Sequence, residues 1–416
     1  MRLRISLLMS LAAVAAILAL VVFTASTNPV SAAQMQKGGQ DLYGPYQVIA
    51  DWLQPLPDAD DHSHEGRTFG SQAAVYAESA DRIWIAQRGE LPLPEGVAPW
   101  TPYAQIVPSL GSATSPREEI QFKHVIFVVD SNGKMVQSWP QHDHLFDHPE
   151  APIPARGPHK IKISPYDPEK HVWVVDDNLH QIFKFTYEGE LVMTLGELGV
   201  EGRGPNTFAR PTDIAWLPDG TFFISDGYHG KRVAKFTADG TFVMDWGQEP
   251  ADADNPGPNE FNTVHSIAIS KDRRIFVADR GHQRFQVFDE NGKFLDLFNT
   301  NEDHWPADWS GEEGSTMRSQ PYYHLITDDQ FLWMGDGGTQ RITKYDLNGN
   351  FLYGWGQAGG KPGQFWGPHQ MSVDQEGNFY TAEVQNGRIQ KFVPKPNADP
   401  AKVIGQEVRG AATSDD

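Results

Sequence analysis

The sequence predicts an all-β fold, a six-bladed β-propeller whose ring is closed by a strand from the N-terminus. Three observations support this prediction. A unit of strand, polar turn, strand, Gly turn and strand recurs along the chain. Its last copy is one strand short, and the N-terminal region contains a candidate for that strand. The 12 tryptophans and 39 glycines are typical of short strands joined by tight turns.

The first 32 residues are expected to be an export signal outside the fold. Arg2 and Arg4 form a basic start, residues 5–23 are apolar, and residues 30–32 fit a small-residue cleavage site. An uncleaved N-terminal anchor is the alternative, because the apolar run is long for a signal peptide. In either case we expect an exported protein, either secreted or periplasmic.

Composition excludes several classes of site and partner. The chain has no cysteine, which rules out disulfides, thiolate zinc sites and a thiol nucleophile. Its net charge of −20 predicts no nucleic-acid partner, since binding would require cations to neutralise phosphates. We expect no stable membrane partner unless the N-terminal segment is retained, and we expect a monomer.

The repeats define the blades. Aligned units occupy residues 171–196, 221–247, 274–298 and 331–356, with a truncated copy at 378–394. A short apolar strand precedes each unit, at 159–164, 212–217, 265–270, 324–327 and 369–373. Each blade therefore has four antiparallel strands.

A diverged first blade completes the count of six. It begins near Ala73, with residues 82–87 as its second strand and 124–139 as its outer hairpin. The segment 46–53 is predicted to pair with the last blade, so that the ring has no open edge. The propeller then covers residues 40–395, and the polar tail 396–416 is expected to be disordered.

Three insertions interrupt the repeats, at 91–121, 140–157 and 299–320. Long loops on a rigid ring usually lie over one face, where they shape a pocket.

Histidines recur at the first position of alternate inner strands. From the second blade onward this slot contains His159, Thr212, His265, Tyr323 and His369. Histidines from alternate blades would converge on the axis, and three imidazoles with an open fourth position are typical of catalytic zinc. The alternative is that histidine merely packs well at a propeller entrance. The lack of carboxylates in this slot argues against calcium or magnesium at this point.

A second slot lies just after the second strand of each blade. Arg88 and Arg280 occupy it in opposite blades, where they either bind substrate or form salt bridges with neighbouring Asp residues. Tyr228 follows one residue later in blade three, where its phenol either reaches the axis or only packs. Together these residues suggest a metal that polarises a substrate oxygen, arginines that bind a carboxylate and a tyrosine that moves a proton.

Two resemblances make the expectation specific. The linkers 202–211, 257–264 and 359–368 share a Gly-Pro or Pro-Gly and a Phe, and resemble those of NHL-repeat propellers. The segments PHKIKIS, SDGYHGKR, VHSIAIS, ADRG and GPHQMSVD resemble the peptidyl-α-hydroxyglycine α-amidating lyase family. That family is a six-bladed propeller that splits a C-terminal α-hydroxyglycine into an amide and glyoxylate.

The lyase resemblance implies roles for particular residues. Its three zinc histidines match His159, His265 and His369, its catalytic tyrosine matches Tyr228, and its two active-site arginines match Arg88 and Arg280. The family has an Asp directly after the third histidine, serving a structural calcium. This chain has Gln370 there, a neutral and weaker ligand, which puts calcium in doubt.

The leading hypothesis is thus a zinc-dependent carbon–nitrogen lyase. Its substrate would be a small molecule or peptide C-terminus with a peptidyl- or N-acyl-α-hydroxyglycine-like group. One alternative is a lactonase-like hydrolase that uses zinc-bound water. The other is a non-catalytic NHL-repeat scaffold that binds a partner through loops 91–121 and 299–320.

Overall fold

The computed structural model describes residues 43–55, 67–93, 95–96, 120–148, 151, 153, 156–300 and 318–408. The expected export signal, most of the insertions 91–121 and 299–320, and residues 409–416 lie outside these ranges. In the described part, helical structure is confined to two short 3-10 segments, Pro140–Leu145 and Arg280–His282. None of its helices is long and apolar enough to cross a bilayer.

The first three blades are four-stranded antiparallel sheets in which the strands follow chain order from the innermost outward. Blade one is β3 (Gln72–Ser79), β4 (Arg82–Gln87), β6 (Ile126–Val129) and β7 (Met135–Ser138). Blade two is β8 (Pro158–Ile163), β9 (Val172–Asp176), β10 (Gln181–Phe185) and β11 (Leu191–Leu195). Blade three is β12 (Pro211–Trp216), β13 (Phe222–Asp226), β14 (Arg232–Phe236) and β15 (Phe242–Trp246).

The other three blades have the same four-stranded arrangement. Blade four is β16 (Val264–Ile269), β17 (Ile275–Asp279), β18 (Arg284–Phe288) and β19 (Phe294–Asn299). Blade five is β20 (Pro321–Ile326), β21 (Phe331–Asp336), β22 (Arg341–Asp346) and β23 (Phe351–Trp355). Blade six is β24 (Pro368–Val373), β25 (Phe379–Glu383), β26 (Arg388–Pro394) and β1 (Tyr46–Ile49). A separate pair, β2 (Arg67–Phe69) and β5 (Glu90–Pro92), flanks blade one.

The innermost strands form the ring. Each contacts the innermost strand of the next blade, and β24 of blade six contacts β3 of blade one. The fold is a six-bladed β-propeller, as the repeats predicted.

The hydrophobic core is divided among the interfaces between blades. Six buried clusters each join two neighbouring blades; one of them packs Trp84 and Trp139 of blade one against Phe183 of blade two. Second strands such as β13 are buried throughout, whereas outermost strands such as β11 are partly exposed, as at Val192. Each blade is therefore stable only against its neighbours, since an isolated sheet of this size leaves both apolar faces in water.

The N-terminal strand closes the ring as predicted. Strand β1 pairs antiparallel with β26, from Tyr46 opposite Pro394 to Ile49 opposite Lys391. The chain then crosses to blade one, where the Trp52 indole donates to Ser131 O at 2.8 Å. The first and last parts of the chain are thus joined by both pairing and packing.

The expectation of a disordered tail is wrong for residues 396–408. Ile404 is buried, and its N–H donates to the Tyr46 hydroxyl at 2.9 Å. Farther on, Val408 N–H donates to Ile326 O at 2.9 Å, and Glu407 bridges to Thr327. The apolar pair Val403 and Ile404, within an otherwise polar segment, gives the tail enough buried surface to pack on the ring.

Tyr46 offers a test of ring closure. It is 2% exposed and packs on Trp355, Phe379 and Phe392, whereas Tyr43 is 57% exposed. Tyr46→Ala should lower the free energy of unfolding by about 3 kcal/mol or more, because it leaves a cavity at the closing strand. Urea denaturation measures this change, with Tyr43→Ala as the matched control. Equal stabilities for the two variants would contradict closure by β1.

Candidate metal centre and active site

A β-bulge at the start of each inner strand builds the centre of the site. The pairing register shifts by one residue at the same point in all six blades. The extra residues are Ala73, His159, Thr212, His265, Tyr322 and His369. A bulge leaves its residue unpaired and re-aims its side chain. Residues from different blades are thereby brought together at one mouth of the channel.

The bulge corrects the predicted slot in blade five. Tyr322, not Tyr323, is the bulged residue, because Pro321 and Tyr323 pair with Asp336 and Gly335. Tyr323 is 1% exposed and belongs to the hydrophobic cluster between blades five and six. The Tyr322 ring instead lies beside His265, with their centroids 5.3 Å apart.

The three predicted histidines meet. Ligand atoms of His159, His265 and His369 all lie within 4.8 Å of one another, and all three residues are buried. Their ring centroids are separated by 4.4 to 5.1 Å. Histidines more than a hundred residues apart in sequence therefore form one compact cluster, as the alternation of blades predicted.

Each histidine is oriented by the next blade. The Nδ1 atoms of His159, His265 and His369 lie 2.6, 2.5 and 3.0 Å from the carbonyl oxygens of Thr212, Tyr322 and Ala73. A carbonyl only accepts, so Nδ1 carries the proton and Nε2 keeps its lone pair. All three acceptors are bulged residues of odd-numbered blades. The ring thus fixes the orientation of every imidazole and favours one tautomer for His159 and His265. His369 Nδ1 also lies 3.2 Å from Lys160 Nζ, which competes with the Ala73 carbonyl for that nitrogen.

Burial also keeps the histidines neutral. It is the largest cause that holds the pKa of all three imidazoles well below the usual range, and nearby positive charges such as Lys160 and Arg280 act in the same direction. Three neutral imidazoles, with no thiolate, fit a tetrahedral zinc ion with one open position. His159, His265 and His369 would hold it.

A second group of possible ligands is less suited to a metal. Asp167, Glu169 and His171 lie in the turn between β8 and β9, at the opposite end of the inner strand. His171 Nδ1 lies 2.7 Å from Asp167 Oδ2, and that carboxylate also accepts from the N–H groups of Glu169 and His171. These hydrogen bonds account for the turn without an ion.

Tyr228 lies against two of the histidines. Its hydroxyl oxygen is 3.0 Å from His265 Nε2 and 3.2 Å from His159 Nε2. The phenol therefore faces the same point as the imidazoles. Its backbone N–H donates to Arg210 O at 3.3 Å, which holds the loop after β13 in place.

The two predicted arginines occupy different environments. Arg280 lies 5.0 Å from the Tyr228 ring centroid and 5.1 Å from that of Tyr322, and has no ion pair among the described residues. Arg88 is 2% exposed; its Nε donates to Pro158 O at 3.1 Å, and its Nη2 lies 3.7 Å from Asp177. Arg280 is thus available to a ligand, whereas Arg88 is partly engaged by the protein.

Sequence reasoning missed two further arginines. Arg156 Nη2 donates to the Tyr228 hydroxyl at 3.1 Å, and the Arg210 guanidinium lies 4.1 Å from the Tyr228 ring centroid. Both also pair with Asp177, at 3.6 and 2.5 Å. A signal for Arg210 did exist: the position before each inner strand contains Ser71, Gly157, Arg210, Thr263, Gln320 and Gly367, and only Arg210 is charged.

These arginines make the phenol more acidic. Burial on its own would raise the pKa of Tyr228, but the positive charges of Arg156, Arg280 and Arg88 outweigh it and lower that pKa. A phenolate next to four guanidinium groups is stabilised by Coulombic attraction in a largely dry environment.

Gln370 is used inside the protein. Its Nε2 donates to Ile161 O at 2.8 Å, and its Oε1 accepts from Ile161 N at 3.3 Å. The side chain thus bridges blades six and two across the channel, in the position where the lyase resemblance implied a calcium carboxylate.

The comparisons with known proteins agree with this picture. An NHL repeat is matched at residues 261–288, within blade four. Peptidyl-α-hydroxyglycine α-amidating lyase 1 of Drosophila melanogaster is 29% identical over 288 residues, covering 62% of this chain and 48% of that protein. The chain is a relative of the peptidyl-α-hydroxyglycine α-amidating lyases. The resemblance inferred from the motifs is thereby confirmed.

Two other relatives are similar to part of this chain. A probable peptidyl-α-hydroxyglycine α-amidating lyase of Caenorhabditis elegans is 37% identical over 133 residues, 32% of this chain and 36% of that protein. NHL repeat-containing protein 3 of Mus musculus is 28% identical over 265 residues, 59% of this chain and 69% of that protein. The matches to the two relatives named as lyases span about half of their length or less.

The histidine cluster predicts a single bound divalent ion. His159→Ala, His265→Ala and His369→Ala should each reduce metal content from about one ion per chain to near zero, because two imidazoles form a much weaker site. Elemental analysis of the purified proteins measures this. His171→Ala, which removes the histidine of the second group, is the control and should keep the ion. Loss of metal from the control alone would place the ion in the turn between β8 and β9.

Proposed function

We propose that this protein is a zinc-dependent lyase that cleaves a peptidyl- or N-acyl-α-hydroxyglycine into an amide and glyoxylate. One observation supports the proposal above the others: the Nε2 atoms of His159 and His265 and the hydroxyl of Tyr228 face one point, with Arg280 next to them. A metal site, a proton acceptor and a free cation are the groups this reaction needs. The relatives named as lyases support it further.

Zinc bound to the three histidines would act as a Lewis acid toward the substrate hydroxyl. Arg280, joined by Arg88, would hold the carboxylate of the hydroxyglycine by charge-assisted hydrogen bonds. This places the hydroxyl carbon close to Tyr228. The substrate is thereby held at both ends of the group that becomes glyoxylate.

Tyr228 would move the proton. Its phenolate oxygen takes the proton of the substrate hydroxyl, the oxygen lone pair forms the aldehyde C=O, and the C–N bond breaks. The electron pair of that bond goes to the amide nitrogen, and Tyr228 returns the proton there. The reaction consumes no water and needs no oxidant. A hydrolase would instead need an attacking water, and the named relatives do not favour that alternative.

We also propose that the protein acts outside the cytoplasm, as a monomer and without nucleic-acid partners. The basic and apolar N-terminus supports export, and the net charge of −20 supports the lack of a nucleic-acid partner. Fractionation of cells expressing the full chain, with N-terminal sequencing of the product, tests both export and cleavage.

Tyr228→Phe separates chemistry from binding. It removes only the hydroxyl, so fold and metal content should persist while kcat falls by roughly 10²–10⁴ with little change in KM. The measurement is glyoxylate release from N-benzoyl-α-hydroxyglycine, with elemental analysis as the control. Undiminished turnover in this variant would exclude Tyr228 as the proton acceptor.

Arg280→Ala tests recognition of the carboxylate. The preference for N-benzoyl-α-hydroxyglycine over N-(hydroxymethyl)benzamide, which lacks only the carboxylate, should fall by roughly 10–100-fold, as expected for loss of a hydrogen bond to a charged group. Arg273→Ala, in the exposed turn at the other end of blade four, controls for net charge. An unchanged preference in Arg280→Ala would assign the carboxylate to another cation.

A further inference from the structure

Three arginines converge on one carboxylate beside the reaction centre. Asp177, which is fully buried, lies 3.7 Å from Arg88, 3.6 Å from Arg156 and 2.5 Å from Arg210. Among the described residues, the ion pairs of these three guanidinium groups all go to this one carboxylate.

Within the described ranges, each of these three arginines also has a buried nitrogen atom without a hydrogen-bond partner. In the part of the chain that the structure describes, Arg88 Nη2, Arg156 Nε and Arg210 Nε are buried and have no hydrogen-bond partner. The side chains of Arg88, Arg156 and Arg210 are only 1, 13 and 9% exposed. Buried donor atoms without a hydrogen-bond partner are costly, so natural proteins retain few of them without a ligand.

Arg210 lies at a position where the backbone is left-handed. Its φ of 67° is left-handed, which is unfavourable for a bulky side chain, and the matching position in blade six is Gly367 with a φ of 70°. Glycine would meet the backbone requirement here more easily.

The α-hydroxyglycine group has one carboxylate to be bound, in addition to the Tyr228 phenolate that the guanidinium groups stabilise. Under the proposed function its single carboxylate is bound by Arg280, with Arg88, from blades four and one. Arg156 and Arg210 remain on the side of blades two and three. They contact the Tyr228 hydroxyl and ring, so their guanidinium groups lie next to the reacting atoms without being needed for that carboxylate.

We propose that Arg156 and Arg210, anchored by Asp177, form a second anion subsite, and that the acyl part of the substrate carries its own carboxylate. The preferred substrate is then the α-hydroxyglycine amide of a dicarboxylic acid. This inference rests on the proposed lyase function, and names the substrate class within it.

A matched substrate pair tests the subsite on the unaltered protein. N-succinyl-α-hydroxyglycine and N-succinamoyl-α-hydroxyglycine have the same length and differ by a terminal carboxylate against a neutral amide. We expect kcat/KM for the succinyl compound to be at least 10-fold higher at low ionic strength, with the difference shrinking as salt is added. Equal values, or a preference for the amide, would overturn the subsite while leaving the lyase function intact. Turnover of neither compound, nor of N-benzoyl-α-hydroxyglycine, would count against the lyase function itself.

Variants locate the subsite. Arg156→Gln and Arg210→Gln should each bring the ratio of the two kcat/KM values at least threefold closer to one, mainly through KM of the succinyl compound. The ratio is the readout because damage to Tyr228 positioning slows both substrates alike. Arg273→Gln, which removes the same charge at an exposed left-handed position with a φ of 65°, is the control and should keep the ratio. A ratio unaltered in both subsite variants would overturn the proposal.

Binding gives a readout independent of catalysis. Calorimetry with the unreactive N-succinylglycine and N-succinamoylglycine should show tighter binding of the dicarboxylate to the unaltered protein, and loss of that difference in Arg210→Gln. If the variant does not fold, the comparison on the unaltered protein still decides, since equal affinities for the two compounds contradict a second anion subsite.

Discussion

The site depends on a hydrogen bond between each ligand histidine and the blade that follows it. Nδ1 of His159 donates to blade three, that of His265 to blade five and that of His369 to blade one. All three bonds run in the same direction around the ring. Because each acceptor is a backbone carbonyl at a bulge, the orientation of the imidazoles follows from how neighbouring blades pack. The apolar clusters that pack the blades together thus also determine how the three histidines are oriented.

The candidate site is positively charged, whereas the protein as a whole is negatively charged. The chain carries a net charge of −20, yet four guanidinium groups surround Tyr228. An acidic surface with a basic, largely buried centre directs anionic ligands to one place, because field lines are focused where the surroundings exclude water. The same positive charges favour the ionised phenol and keep the imidazoles neutral. In the proposed function, one arrangement of arginines would therefore serve both proton transfer and anion binding.

The features that repeat along the chain could be predicted from the sequence, and those that do not repeat could not. Six blades, the closing strand and the three histidines follow from the period of the chain. Tyr322 was misplaced by one residue, because the register shift after Pro321 is a property of strand pairing and is invisible in a linear alignment. Arg156 was missed because it lies in an insertion with no counterpart in other blades. Arg210 is the one charged residue at the position before the inner strands. Its contact with the Tyr228 ring depends on a left-handed backbone, which composition does not predict.

Ring closure has a consequence for how the protein is made. The third ligand, His369, lies on the last blade, its carbonyl partner lies on the first, and the strand that completes the last blade begins at Tyr46. A nascent chain released before residue 369 has only two of the three imidazoles, and one that ends before β26 cannot pair its first strand. If the three histidines bind an ion, its acquisition would follow synthesis of nearly the whole chain. Possession of the ion would then distinguish a finished molecule from a prematurely terminated one.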